Sequence, residues 1–520
     1  MSRGPVSRLG DADTGGTGHW SSFSLKSIPR ALTPVFISFQ RRPPEVSDRP
    51  NIVLVMTDTQ GWNALGECGE GFAETPNLDA LAEEGVRFDN AYASAVPCTP
   101  SRAGLFSGKH SHAAGAWTNN RRLVKGVETM GSYLREAGYR TAYIGKWHLD
   151  GDYFGTGEAA PGYDPEWWYD GQNYRDEVGE EFWEWYRSGM ETRVAENDID
   201  EIHDRGITRE DTWGGRITDR ALEFIDHARS DDKPFFLVVS YDEPHEPSLC
   251  PPPFCDMYTD QRYPLPDNYQ TPDELRDRGK PERHIQAAQE FESGGQFMDS
   301  IADAEEEGGI YRPLYFAAST FVDDEIGRIV DAVEENHPKS VFAFTSDHGH
   351  YLGAHGVDGK GFQMYDEVTN VPLIVRGPSF PSGTVSDALV SHTDLLPTFL
   401  DVAGGDPPAD LDGRSFLGTA GDPATDHREG ALVEYHSYSG GDFYPVRALV
   451  TEQYKLVVNM LDTDELYDLE ADPGELHNRI EDPAYAAVRD DLHDRLLARM
   501  DETDDDFRGD VWADRPWRDC

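Results

Sequence analysis

The feature that most constrains the fold is an alternation of apolar runs and amphipathic segments that begins at residue 49. The stretch "RPNIVLVMTDTQ" is continuously apolar before it turns polar, which is typical of a buried parallel strand whose carboxyl end faces a site. Apolar spacing near i, i+3 and i+4 in "TPNLDALAEEGVRF" predicts a helix after it. Further strands are predicted in "RTAYIGKW", "PFFLVVSYDEP" and "SVFAFTSDHG", with helical segments such as "ITDRALEFIDHA" and "FVDDEIGRIVDAVEE" between them. This alternation predicts an α/β domain with a mostly parallel central sheet.

Three regions are distinguished along the 520 residues. Residues 1–48 show no periodicity and are predicted to be a flexible N-terminal tail. Residues 49–419 contain the alternating segments and form the main domain. In residues 420–520, the strand-like "ALVEYHSY", "VRALVTEQYKLVV" and "DELYDLEADPGELHN" precede the helical "VRDDLHDRLLARMDE". This order predicts a smaller C-terminal α+β subdomain.

The charge balance narrows the classes of partner. Asp and Glu number 97 against 46 Lys and Arg, which gives a formal net charge of −51. Because 38% of the residues are hydrophobic and lie in periodic segments, the charge indicates an acidic surface rather than disorder. Such a surface suits a halophilic protein, since molar salt shortens the Debye length to about 3 Å and screens self-repulsion. Nucleic acid is not expected as a partner, because phosphate binding needs a basic face.

The length of the apolar runs indicates where the protein is located, and the number of cysteines indicates whether its thiols are free. No run approaches the roughly 18 apolar residues of a membrane span, and "SLKSIPRALTPVFISF" is too short and too interrupted for a signal peptide. We therefore expect a cytoplasmic protein with no membrane partner. The five cysteines, at positions 68, 98, 250, 255 and 520, form no even framework, so free thiols are expected rather than disulfides.

Polar groups follow four of the predicted strands, in "TDTQ", "GKWH", "DEPHEP" and "SDHG". Ligands bind at the carboxyl ends of parallel strands, so these groups are expected to converge. Asp58, Asp347 and His348 offer carboxylate oxygens and one imidazole for a divalent cation, with Ca²⁺ or Mg²⁺ favoured by the oxygens and Mn²⁺ allowed by the nitrogen. The alternative for each residue alone is the capping of a following helix.

Two lysines and two histidines lie beside the same strand ends. Lys146, Lys360, His148 and His245 suit the binding of an anionic tetrahedral group and the transfer of protons. The chain has nine lysines, and His245 lies between two prolines that fix its backbone. Surface lysines and a structural turn histidine are equally good interpretations of each residue taken alone.

The stretch "AVPCTPSRAG" places a cysteine before a proline at +2 and an arginine at +4. This spacing arises by chance only about once in a hundred chains of this size. Cys98 to Arg102 resemble the C-x-P-S-R sequence of the type I sulfatases, members of the alkaline phosphatase-like superfamily. The resemblance spans roughly residues 50 to 480 and includes "PNIVLVMTDTQ", "GYRTAYIGKWHL", "TSDHGHYLGAHG", "KGFQMYDEVTNVPLIVRGP" and "ELYDLEADPGE" in the family order.

The resemblance implies an alkaline phosphatase-like sandwich, with a large, mostly parallel central sheet flanked by helices, in which residues 49–419 are the catalytic domain. It implies that a maturation enzyme, reading Pro100 and Arg102, oxidises Cys98 to formylglycine, which supplies a nucleophile with two hydroxyls. Arg102 would then help hold the hydrated aldehyde. Asp58, Asp347, His348 and position 98 would bind one divalent cation.

The resemblance also implies the role of each basic residue in hydrolysis of a sulfate monoester. His245 would protonate the departing alcohol, while Lys146 and Lys360 would stabilise charge on the sulfuryl oxygens. His148 would take a proton so that sulfate can leave. Asn119, in "WTNN", lies where some relatives place an asparagine that contacts substrate. Carbohydrate or aryl sulfates are the expected substrates.

One departure from the family pattern leaves alternatives open. Thr59 follows Asp58 where many sulfatases have a second aspartate, so the metal's identity stays open, with Ca²⁺ preferred, Mg²⁺ and Mn²⁺ as alternatives, and Thr59 as a fourth ligand to consider. Phosphonate monoester hydrolases and phosphodiesterases of the superfamily share the formylglycine and can lack the second aspartate, although "GKWH" favours sulfate esters. An unmodified Cys98 would leave a binder of sulfated ligands. The aromatic-rich residues 150–187 are expected either to line the pocket or to pack locally.

Overall fold

At the centre of the fold is an eight-stranded mixed sheet, seen in a computed structural model that describes residues 49–69, 71–192, 199–230, 232–292, 308–420 and 427–518. The predicted flexible tail, residues 1–48, lies outside the described residues. The strands of the three sheets are, in chain order, β1 (Ile52–Asp58), β2 (Val86–Phe88), β3 (Ala91–Tyr92), β4 (Arg140–Gly145), β5 (Trp168–Tyr169), β6 (Phe235–Pro244), β7 (Val341–Ser346), β8 (Leu373–Arg376), β9 (Thr384–Ser386), β10 (Val390–Ser391), β11 (Ala431–Ser437), β12 (Phe443–Val450), β13 (Tyr454–Asn459) and β14 (Glu465–Asp468).

The large sheet has the order β5-β4-β6-β1-β7-β8-β2-β9. Its four central strands, β4, β6, β1 and β7, run parallel, with Val55 of β1 paired to Val239 on one side and Phe344 on the other. Strand β8 is antiparallel to both β7 and β2. The continuous apolar runs therefore form strands that are buried on both faces, as the sequence predicts.

Helices cover both faces of this sheet. The described α-helices are Pro76–Glu84, Cys98–Ser107, Ser111–Ala114, Met130–Glu136, Gly171–Val178, Glu180–Thr192, Ile199–Arg205, Trp213–Ala228, Pro272–Asp277, Glu282–Glu292, Pro313–Asn336, Asp366–Thr369, Leu395–Val402, Leu417–Ala420, Ala486–Glu502 and Asp510–Ala513. Val53 and Val55 face a core with helices 213–228 and 313–336, whereas Leu54 and Met56 face a core with helices 98–107 and 395–402. The predicted α/β sandwich is confirmed.

A separate four-stranded antiparallel sheet, β11-β12-β13-β14, follows in the C-terminal part of the chain. One face packs on helix Ala486–Glu502 through residues such as Leu492 and Leu496, and the other packs on the main domain through Val433 and Val446. The predicted α+β unit is therefore present. Its boundary at residue 420 stays a prediction.

Two further expectations concern membrane spans and thiols. None of the helices in the described ranges is long and apolar enough to cross a membrane. Cys68, Cys98, Cys250 and Cys255 are buried free thiols, as predicted, while Cys520 lies outside the described residues.

Candidate active site

The carboxyl ends of the four central strands bring the predicted site residues together. Asp58 ends β1, Lys146 follows β4, His245 follows β6, and Asp347 follows β7. Because these strands are neighbours and parallel, their ends share one edge of the sheet. The polar segments "TDTQ", "GKWH", "DEPHEP" and "SDHG" thus converge at one place.

Cys98 is the first residue of a helix, Cys98–Ser107, in which every residue is buried. Its Sγ lies 3.1 Å from Lys360 Nζ, 3.2 Å from His348 Nε2 and 3.7 Å from Asp58 Oδ1. Burial, with a smaller contribution from Asp58, raises the pKa of the thiol to about 12. A thiol with that pKa is protonated at neutral pH and is a poor nucleophile.

Arg102 lies one turn after Cys98 and braces two carboxylates. Its Nε donates to Asp347 Oδ2 at 2.8 Å, and its Nη2 donates to Asp58 Oδ2 at 3.1 Å, with all three side chains fully buried. Nη1 donates to the carbonyl oxygen of Lys146 at 2.7 Å. The hydrogen bonds of Arg102 thus fix the carboxylates beside Cys98; the predicted contact with a hydrated aldehyde stays a prediction.

Asp58, Cys98, Asp347 and His348 form a buried group whose potential ligand atoms all lie within 4.8 Å of one another. His348 Nδ1 is bound to the carbonyl oxygen of Gly349 at 2.9 Å, so Nε2 keeps a lone pair directed at the group. Burial and the charge of Asp58 raise the pKa of Asp347 to about 7, as expected for two carboxylates that share a site. This donor set fits a divalent cation that prefers oxygen.

Two buried lysines flank the same group. Lys146 Nζ lies 2.8 Å from both Asp242 Oδ1 and Asp58 Oδ2, and 3.7 Å from the centre of the Tyr153 ring. Burial opposes the charge on Lys360, but Cys98 and Asp58 outweigh burial and raise the pKa of this lysine well above its usual range. Both ammonium groups are therefore held charged beside position 98, where they can bind an oxyanion.

Thr59 occupies the position of the second aspartate in a strained conformation. Its φ is 64°, which is an outlier for a β-branched residue. Its hydroxyl donates to Asp58 Oδ1 at 2.7 Å and accepts from Lys360 Nζ at 2.9 Å, while its N–H donates to Asp347 Oδ1 at 3.2 Å. The hydroxyl thus links Asp58 to Lys360; a role as a metal ligand stays a prediction.

His148 and His245 both lie close to Tyr153, with ring centres 5.0 and 5.6 Å from the centre of its ring. His148 Nε2 is 2.8 Å from Asn120 Oδ1, an acceptor, which assigns the proton to Nε2, and the buried Nδ1 has no partner among the described residues. Burial, followed by the charge of Lys146, lowers the pKa of His148 well below its usual range. His245 Nδ1 is 2.8 Å from the carbonyl oxygen of Glu246. Burial and both lysines lower the pKa of His245.

Asn119 supports the helix that carries Cys98. Its Oδ1 accepts a hydrogen bond from the Thr99 N–H at 3.0 Å, one of the donors that a helix leaves free in its first turn. The substrate contact predicted for Asn119 stays a prediction.

The family assignment follows from comparison with known proteins. Residues 50–405 match the model of the sulfatase family, and residues 353–502 match the model for the C-terminal region of N-sulphoglucosamine sulphohydrolase. The chain belongs to the sulfatase family. It is therefore a sulfuric ester hydrolase, which confirms the predicted enzyme class.

Three relatives show the range of this similarity. The chain is 43% identical to the uncharacterized sulfatase YidJ of Escherichia coli (strain K12), covering 90% of this chain and 91% of that protein. A solved structure in complex with its substrate D-glucosamine-2-N,6-O-disulfate is 27% identical, with a TM-score of 0.69 over 88% of this chain and 99% of that one. The phosphonate monoester hydrolase of Silicibacter pomeroyi shares the fold at 23% identity, with a TM-score of 0.71 over 88% and 96%.

Sequence reasoning missed three residues of this sulfatase site. Asp242 accepts hydrogen bonds from Lys146 and, at 2.6 Å, from Tyr153, while Asn120 contacts His148. Asp242 was signalled by its place at the end of β6 in "SYDEPHEP" and Asn120 by its place beside Asn119. Tyr153 belongs to the aromatic-rich residues 150–187, whose other members Trp168, Trp183 and Tyr186 are buried in core clusters. Most of that segment therefore packs locally.

Proposed function

We propose that this sulfatase hydrolyses sulfate monoesters of carbohydrates, with Cys98 matured to formylglycine and with one divalent cation. The observation that carries the proposal is the position of Cys98. It lies at the start of a buried helix, with Lys360, His348 and Asp58 within 3.7 Å of its sulfur. A buried, protonated thiol has no evident use among these groups, whereas a hydrated aldehyde can act as a nucleophile and later release its product.

Asp58, Asp347, His348 and position 98 would hold the cation, with Ca²⁺ preferred because oxygens dominate the set. The cation supplies Lewis-acid polarisation of the oxygens at this edge of the sheet. Arg102 keeps both carboxylates in place through its bonds to Asp58 and Asp347. With a single aspartate after β1, the site has one anionic ligand fewer than many relatives, so we expect weaker cation binding.

Each of the basic residues has a separate role in hydrolysis of the ester. Lys146 and Lys360 bind the sulfuryl oxygens and stabilise the charge that develops on them. His245, oriented by the carbonyl oxygen of Glu246, gives a proton to the departing alcohol oxygen. The negative charge of the bound ester offsets the two lysines and favours protonation of His245. His148 accepts a proton at Nδ1, because its Nε2 is engaged by Asn120.

Support for a carbohydrate substrate comes from the edge of the site. Tyr438, which follows β11, is 39% exposed, and its backbone carbonyl accepts a hydrogen bond from the Asn119 N–H at 3.3 Å. Its phenol is close enough to Lys360 to influence the pKa of that lysine. An aromatic side chain at this place can stack on a sugar ring. The disulfated glucosamine bound by a solved relative is consistent with this class of substrate.

A phosphonate or phosphodiester substrate is the second candidate, because Thr59 replaces the second aspartate and a phosphonate monoester hydrolase shares the fold. Initial rates should be compared for an aryl sulfate, sulfated monosaccharides, a phosphonate monoester and a phosphodiester. We expect sulfate esters to dominate kcat/KM. A dominant phosphodiester rate would overturn the sulfate proposal.

Maturation is tested on the protein purified from its native host. Mass spectrometry of the tryptic peptide from Phe88 to Arg102 should find an aldehyde in place of the thiol at position 98, as the expected maturation enzyme would produce. Cys98→Ala should have no sulfated-sugar release in molar salt. If the peptide holds only cysteine and turnover equals that of Cys98→Ala, the protein is a binder of sulfated ligands and the catalytic assignment fails.

A further inference from the structure

A cluster of arginine side chains surrounds a second cavity, of about 510 Å³, which is lined by residues between Arg414 and Glu502. Its wall contains four arginines, at positions 414, 428, 495 and 499, together with Glu429 and Glu502 as the acidic groups. In the whole chain, acidic residues outnumber basic ones by 97 to 46, so the ratio is reversed at this cavity. It shares no lining residue with the active site.

The four arginines come from separate segments of the chain. Arg495 and Arg499 belong to helix Ala486–Glu502, and Arg499 lies in its last turn, where a cation interacts favourably with the helix dipole. Arg414 and Arg428 precede and follow helix Leu417–Ala420 in the chain. Tertiary packing therefore brings the four cations to one cavity.

The carboxylates near the cavity do not neutralise all four guanidinium groups. Buried Asp394 pairs with Arg428 and also accepts from His427 Nε2 at 3.1 Å. Arg499 is 3.3 Å from Glu502, and Arg495 is 3.7 Å from Asp491. Three of the four arginines, Arg428, Arg495 and Arg499, therefore each have a carboxylate partner.

Arg414 has a guanidinium group without a carboxylate partner. Its Nη1 donates to the carbonyl oxygen of His427 at 3.3 Å, and its backbone N–H donates to Asp394 Oδ1 at 2.8 Å, but its guanidinium group forms no ion pair with a carboxylate of the described residues. The Nε of Arg428 is buried and has no hydrogen-bond partner in the described part of the chain. A buried donor without a partner is costly, so the Nε of Arg428 indicates a missing acceptor.

Repulsion among the arginines of the cavity is a second indication that an anion is missing. Burial and the charges of Arg414 and Arg499 lower the pKa of Arg428, against the opposing effect of Asp394. An anion placed among these groups would relieve the repulsion and supply acceptors to planar guanidinium forks.

We propose that this arginine cavity binds a tetrahedral oxyanion, a sulfate or phosphate group that is either free or carried by a small molecule. A volume of about 510 Å³ falls within the usual range of small-molecule pockets and exceeds the needs of a bare ion. An ester of a small sugar is therefore the better fit. The site is separate from the active site and does not depend on the reaction proposed there.

The test is isothermal titration of the full chain with inorganic sulfate, inorganic phosphate and glucose 6-phosphate, at constant ionic strength set with chloride. The wild type should show two classes of oxyanion site, one at the active site and one at the cavity. Arg414→Gln should weaken the second class at least tenfold and leave the first unchanged. Because Arg414 is exposed and has no described ion pair, this variant should fold normally.

Arg229→Gln is the matched control, since it removes the same charge from an exposed arginine that does not line the cavity. Tungstate soaked into crystals should give an anomalous peak beside Arg414 and Arg428. Tighter binding of glucose 6-phosphate than of phosphate identifies an ester as the ligand, and the reverse identifies the free ion. Identical titrations of wild type and Arg414→Gln, or no anomalous peak in the cavity, would overturn the proposal.

Discussion

Two buried histidines, His148 at the active site and His112 beneath the C-terminal sheet, have opposite hydrogen-bond arrangements. His112 Nδ1 lies 2.5 Å from Glu434 Oε1, and its Nε2 lies 3.0 Å from the carbonyl oxygen of Thr503. Both partners are acceptors, so both nitrogens carry protons and His112 is a cation. His148 has one acceptor, Asn120, and one buried nitrogen without a described partner.

The difference separates a structural group from a reactive one. His112, Glu434 and Asp505 could be mistaken for a metal site, since their ligand atoms lie within 4.8 Å of one another. Arg447 Nε, however, lies 2.8 Å from Asp505 and 3.5 Å from Glu434, so each charge there has a fixed counter-charge. At the active site, by contrast, the buried Nδ1 of His148 has no partner among the described residues. An unpartnered nitrogen beside two charged lysines marks His148 as a candidate for proton transfer.

The largest expected effect on activity comes from removing each imidazole in turn, which tests whether His148 is reactive and His112 is structural. His148→Ala should lower kcat per folded molecule by about 10²- to 10⁴-fold, the usual contribution of a general base. Melting temperature is measured alongside, because the variant also loses a buried ring and its Nε2 hydrogen bond to Asn120. His112→Gln is the control, and its kcat per folded molecule should stay within about threefold of the wild type. Full activity in His148→Ala, or a collapse of activity in folded His112→Gln, would erase the distinction.

The next largest expected effect is a pH dependence of the unfolding free energy that is caused by His112. Burial opposes the charge of His112, but Glu434 outweighs it and raises the pKa of His112 to about 9. A raised histidine pKa stabilises the fold below the unfolded pKa of about 6.5, and this contribution is lost as pH rises through about 9. Between pH 7 and pH 8.5, the loss should be about 2 kcal/mol of unfolding free energy.

Other buried groups titrate in the same window, including Lys280, whose pKa burial lowers to about 8. The measurement is therefore the difference between wild type and His112→Gln in denaturant unfolding, at one salt concentration. That difference should shrink by about 2 kcal/mol as pH rises from 7 to 8.5. A difference that is constant with pH would mean that His112 is neutral in the fold.

Much of the active site could be predicted from the sequence, because its residues follow four continuous apolar runs or belong to the short segment "CTPSR". Strand ends of a parallel sheet meet at one edge, so Asp58, Lys146, His245 and Asp347 could be placed together without a structure. The sandwich could be predicted for the same reason, from the alternation of strands and helices.

The remaining contacts depend on loop geometry and on long-range packing. Asn120 reaches His148 because its backbone has a φ of 59°, which no periodic pattern encodes. The pair of His112 and Glu434 joins residues 322 positions apart, and the cavity around Arg414 is closed by a helix more than 70 residues later. Such clusters arise from tertiary packing, so composition and spacing give no sign of them.

The smallest expected effect comes from changing Asn120, the hydrogen-bond partner of His148, and leaving the histidine in place. Asn120→Ala should lower kcat about tenfold, or about 1.4 kcal/mol, because the tautomer and ring orientation of His148 are no longer fixed. Asn120→Asp keeps the acceptor and adds a negative charge, so it should raise the pKa of His148 and move the acidic limb of the pH–kcat profile to higher pH. Asn120 is exposed, so Asn120→Asp should match the wild type in melting temperature, whereas Asn120→Ala should lose about 1 kcal/mol of unfolding free energy because alanine is strained at a φ of 59°. If Asn120→Asp lowers kcat without moving the profile, Asn120 acts on loop structure alone, and His148 is not the group that titrates in turnover.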